Sequence, residues 1–67
     1  MIKTVINGKE TELAGVCSLA ELIESRGLVL GRVVAEVNGE ILQRDTYSET
    51  MIAEGDKIEL INFVGGG

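Results

Sequence analysis

Histidine, tryptophan and proline are absent from this 67-residue chain, and its aromatic side chains come down to Tyr47 and Phe63. Without histidine the commonest general base near neutral pH is missing. Two aromatics do not furnish the stacked platforms on which single-stranded bases are held. Basic residues are outnumbered six to eleven, a formal net charge of -5, so a nucleic acid is repelled and a basic protein surface attracted. The one cysteine, Cys17, excludes an internal disulfide. No apolar run approaches the ~20 residues that span a bilayer, and the chain opens in a strand-like pattern with no signal-like segment. A cytoplasmic protein is expected, binding neither nucleic acid nor membrane. At this length only about 60% of the unfolded surface becomes buried, enough for one core but not for an enclosed catalytic cleft beside it. The expectation is a non-enzyme with no metal site and no tightly bound cofactor.

What is present is strongly patterned. Ile2 to Ile6 reads as a strand ending at Asn7-Gly8, a dipeptide suited to the positive φ angles of a two-residue hairpin. Lys9 to Leu13 returns from it. Ser18 followed by Glu21 fits a capping box. Leu19, Leu22 and Ile23 then recur at helical spacing, giving a helix from Leu19 to Arg26 that stops before Gly27. Val33 to Val37 is a strand, Asn38-Gly39 a second hairpin, and Ile41 to Gln43 its return. Asp45 to Thr50 predicts one helical turn with Tyr47 beneath it, and Ile52 re-enters the core. Glu54-Gly55-Asp56 turns the chain into a last strand from Lys57 to Val64. A helix between two hairpins buries its stripe only against one face of a shared sheet. The expected fold is α+β: a mixed, mostly antiparallel sheet of four to five strands packed on one helix, the first and last strands adjacent and parallel. This is the ubiquitin-like β-grasp, occupying residues 1–64.

Gly65-Gly66-Gly67 follows directly on that strand. Three residues without side chains add nothing to packing and lose the most freedom on ordering, so a flexible C-terminal tail is expected at 65–67. Its chemical group is the Gly67 carboxylate, ionised at neutral pH because α-carboxyls titrate near roughly 3.5. A tail without β-carbons, Gly65 and Gly66 included, can thread a channel too narrow for any other residue. Alternation along the last strand turns Ile58, Leu60 and Val64 inward and Ile61 and Phe63 outward. Ile61, Phe63, Val5 and Leu42 are expected to form an exposed apolar patch beside the tail, where a partner docks. Cys17 has no basic neighbour in sequence to lower its pKa and reads as a small buried hydrophobe. Arg44 either meets a partner carboxylate or solvates its loop.

The segments Glu36-Val37-Asn38-Gly39-Glu40-Ile41, Arg44, the Tyr47 turn, Glu54-Gly55-Asp56-Lys57-Ile58-Glu59 and Phe63-Val64-Gly65-Gly66-Gly67 together resemble the ThiS family of sulfur carriers in thiamine biosynthesis. The resemblance runs the length of the chain, with Gln43 where relatives often have Pro and Tyr47 where they often have Trp. It implies that a ubiquitin-activating-type adenylating enzyme, using ATP and magnesium, joins Gly67 to AMP. A cysteine-derived persulfide donor then converts the end to a thiocarboxylate, and thiazole synthase receives the sulfur. Related carriers for molybdopterin or transfer-RNA thiolation, and ubiquitin-like protein modifiers, share the activation step. A plain β-grasp binding module is a further class, and it leaves the glycines without a role.

Overall fold

Two Asn-Gly turns fold the chain into its two hairpins. Asn7 and Gly8 have φ of 51° and 79°, and Asn38 and Gly39 have 53° and 87°. These are the paired positive angles of type I′ turns, whose twist matches that of the flanking strands. The first turn joins β1 (Ile2–Ile6) to β2 (Lys9–Leu13), and the second joins β4 (Val33–Val37) to β5 (Glu40–Ile41). Between the hairpins run β3 (Cys17–Ser18) and the helix α1 (Leu19–Ser25); after them come β6 (Met51–Ile52) and β7 (Lys57–Asn62). The computed structural model describes residues 1–63.

The main sheet has the order β2-β1-β7-β4-β5. β7 is its centre, parallel to β1 and antiparallel to β4. β3 and β6 form a separate antiparallel pair, Cys17 opposite Ile52 and Ser18 opposite Met51. The fold is the expected β-grasp, with a five-stranded mixed sheet on one helix.

A helix of seven residues is too short to persist alone, so its ends and its apolar face decide its existence. At the start, Ser18 Oγ accepts from the Glu21 N–H at 3.0 Å, while the Ser18 N–H donates to Glu21 Oε1 at 2.8 Å. At the end, Gly27 takes φ of 77° and the Leu28 N–H donates to the Ile23 carbonyl, a Schellman-type close that satisfies orphan carbonyls. Leu19, Ala20, Leu22 and Ile23 are buried against Ile6, Val33, Ala35, Ile52, Ile58 and Leu60. Burying each large aliphatic side chain contributes about 1.5–3 kcal/mol.

Tyr47 explains where β5 stops. Its buried hydroxyl accepts from the Ala35 N–H at 3.0 Å and donates to the Val33 carbonyl at 2.9 Å. One phenol thus takes the place of a partner strand along that stretch of β4. The return strand is therefore two residues long, shorter than Ile41 to Gln43. The Leu42 N–H still reaches the Ala35 carbonyl, and a 3₁₀ turn at Arg44–Thr46 then carries Tyr47 under the sheet. β7 ends at Asn62 within the described residues, and Val64 lies beyond them.

Candidate functional site

Alternation along β7 divides its side chains between two environments. Ile58 and Leu60 enter the core, whereas Ile61 and Phe63 are 56% and 55% exposed. Val34 stands directly across from Ile61 in the β4–β7 ladder. Ile41, 70% exposed, faces Glu36 on the same outer surface, diagonal to Val34 and within reach of it. The outer apolar cluster therefore comprises Ile61, Phe63, Val34 and Ile41.

This differs from the expected patch in two members. Leu42 is half-buried and packs against the core cluster, because the chain turns inward as it leaves β5. Val5 is on the outer face but opposite Lys57, four positions along β7 from Ile61 and so about 13 Å away. Val34 and Ile41 were not singled out in the sequence. Strand alternation signals that each faces one side, but only the register reveals its neighbours. Gly65, Gly66 and Gly67 lie outside the described residues.

Both hairpin asparagines hold β7. Asn7 gives its N–H to the Ile58 carbonyl at 2.9 Å, and its Oδ1 accepts from the Leu60 N–H at 2.7 Å. Asn38 Oδ1 accepts from the Lys57 N–H at 2.9 Å, and its Nδ2 donates to Asp56 Oδ1 at 3.0 Å. Asp56 Oδ2 in turn accepts from the Ala53 N–H at 2.8 Å, closing the turn that leads into β7. Beyond Leu60 the strand is held from the β4 side, finishing with the Phe63 N–H on the Arg32 carbonyl at 2.7 Å.

Among the described residues the remaining chemistry-bearing groups do not converge. Burial raises the Cys17 thiol above its ordinary pKa, and the Glu21 carboxylate adds to the shift, so the thiol remains protonated and a poor nucleophile at neutral pH. Among the described residues no group of His, Cys, Asp or Glu is arranged to hold a metal ion. An open hollow of about 520 Å³ on the outer face is lined by Lys3, Val5, Glu10, Glu12 and Glu54, at the end of the sheet away from Phe63. Glu36 and Glu59 oppose each other across β4 and β7. Arg44 lies exposed in its 3₁₀ turn. Among the described residues, no helix is long and apolar enough to cross a membrane. What this surface presents is the end of the central strand, flanked by Ile61 and Phe63.

Comparison with known proteins bears on what it presents. The model of the ThiS family matches residues 4–67, through the glycine triplet. The sulfur carrier protein ThiS of Bacillus subtilis is 33% identical over 63 residues, covering 92% of this chain and 96% of that protein. A thiazole synthase of Paramagnetospirillum magneticum is 33% identical over 66 residues, 98% of this chain, yet the chain spans only 20% of that protein's length. The crystal structure of the thiamine biosynthesis protein ThiS from Geobacter metallireducens superposes with a TM-score of 0.83 at 30% identity, covering 98% of this chain and 100% of that one.

Proposed function

The chain belongs to the ThiS family, and from that membership we infer that it is a sulfur carrier of thiamine biosynthesis whose working group is the Gly67 carboxylate. The observation that carries this reading is the central strand β7, which leads past exposed Ile61 and Phe63 toward three consecutive glycines within the family match.

A carboxylate is a poor acyl donor because its leaving group would be oxide. Attack of a Gly67 oxygen on the α-phosphorus of ATP, with loss of pyrophosphate, makes the acyl-adenylate. A persulfide sulfur then adds to the acyl carbon and AMP departs. A second thiol opens the resulting acyl disulfide, releasing the thiocarboxylate and leaving a disulfide on the donor. The adenylating partner supplies ATP and magnesium, and the persulfide comes from cysteine. Thiazole synthase is the acceptor, a partnership supported by the segment like this chain within thiazole synthases. This chain contributes the acyl end, the slim path to it and the surface on which partners settle. The adenylate must be kept from water during transfer, and Gly65 and Gly66 allow a deep, narrow channel to do so.

Intact-mass measurement after incubation with the adenylating enzyme, ATP and a sulfur source tests the reading. The expected product is heavier by the exchange of one oxygen for sulfur. No such gain, or the chain's end joined to lysines of other proteins, would overturn it. Gly66→Val is expected to abolish ATP–pyrophosphate exchange while leaving the amide NMR spectrum of residues 1–60 unchanged.

A further inference from the structure

We propose that Asn7 is a positioning residue for acyl transfer: its carboxamide fixes the end of β7 and so the point from which the glycine tail is presented. The proposal rests on the carrier reading above. Parallel pairing between β1 and β7 has two registered pairs, Val5 with Lys57 and Ile6 with Ile58, because at Asn7 the backbone turns away with φ of 51°. From there β7 would lose its partner on that side. The Asn7 side chain prevents this by placing Oδ1 2.7 Å from the Leu60 N–H, while its own N–H holds the Ile58 carbonyl at 2.9 Å. A turn residue thereby extends the ladder by one step after its strand has ended.

The location sets Asn7 apart from Asn38. Both occupy the first turn position with positive φ, and both accept a β7 N–H. Asn38 holds Lys57, where β7 begins. Asn7 holds Leu60, three residues before Phe63, where the strand leaves its second neighbour. Misplacing a reacting group by about 1 Å can cost about a hundredfold in rate. Loosening Leu60 moves the origin of the tail, while Val34 on β4 and Ile41 on β5 keep their places on the outer face and go on seating a partner. The effect should therefore fall on kcat for adenylation and spare KM.

Asn7→Gly keeps the turn, since glycine accepts positive φ, and removes the acceptor. Asn7→Asp keeps both. Asn38→Gly is the matched control at the far end of the strand. With the full chain as substrate, Asn7→Gly should lower kcat for ATP–pyrophosphate exchange about tenfold, leave KM unchanged and accelerate amide exchange at Leu60. Asn7→Asp should restore both, and Asn38→Gly should leave kcat at the wild-type value. Equal loss of kcat in the two glycine variants, or wild-type kcat in Asn7→Gly, would overturn the proposal. Unchanged amide exchange and chemical shifts from Leu60 to Phe63 in Asn7→Gly would also overturn it. That readout needs no partner. Failure of the wild-type chain to support exchange would instead count against the carrier reading, so the two failures are distinguishable.

Discussion

A single hydroxyl illustrates how much one residue settles in so small a core. Tyr47 is 2% exposed, and its oxygen serves two main-chain groups of β4 at once. An indole in its place could donate to Val33 but could not accept from Ala35, since its nitrogen has no free lone pair. Removing the oxygen with Tyr47→Phe leaves a buried donor and acceptor unpaired. The expected loss is about 1–3 kcal/mol, read as a shift in the urea midpoint at constant m-value. The same economy appears at Asn7, where a residue chosen by turn geometry also supplies a ladder acceptor.

At the scale of elements, short pieces depend on their ends. The helix α1 makes its first turn around the reciprocal Ser18–Glu21 pair. Ser18→Ala should cost about 1 kcal/mol, measured by thermal unfolding, whereas Glu21→Gln should cost less because an amide oxygen still accepts from the Ser18 N–H. These features were legible in the sequence because each is a local signal: Asn-Gly for the turns, Ser-x-x-Glu for the helix start, period-two alternation for the exposure of Ile61 and Phe63. The pairing of β3 with β6 was not, since two-residue strands far apart in sequence carry no pattern of their own. Nor was the inward turn of Leu42. Alternation extrapolated past Ile41 assumes that the strand continues, and the Tyr47 hydroxyl takes the place that a longer strand would occupy. Val5 was placed on the correct face but at the wrong height, because its neighbour is set by the parallel register. The Asn-Gly pairs announced turns, yet the use of their carboxamides on β7 depends on a strand about fifty residues away for Asn7.

For the molecule as a whole, the outer face is unequal along its length. One end carries Ile61, Phe63, Val34 and Ile41, and the other carries Lys3, Glu10, Glu12 and Glu54 around Val5. Exposed apolar side chains gathered beside the strand that leads to the tail suit a partner that must seat the carrier before engaging its end. Truncation of Phe63, exposed in the free protein, should leave stability within about 0.5 kcal/mol. Phe63→Ala should nonetheless weaken binding to the adenylating partner proposed above about tenfold, as loss of an aromatic anchor does. Calorimetry on both quantities separates docking from packing; a large stability loss with unchanged affinity would reverse the assignment.

The parallel alignment of β1 with β7 has a practical outcome. Since both strands advance in the same direction, Met1 and Phe63 emerge at opposite poles of a body 38 Å in its longest dimension. A fluorophore carried at the Met1 pole would stay clear of the exposed apolar side chains around Phe63, making that pole the natural place for a reporter of partner engagement.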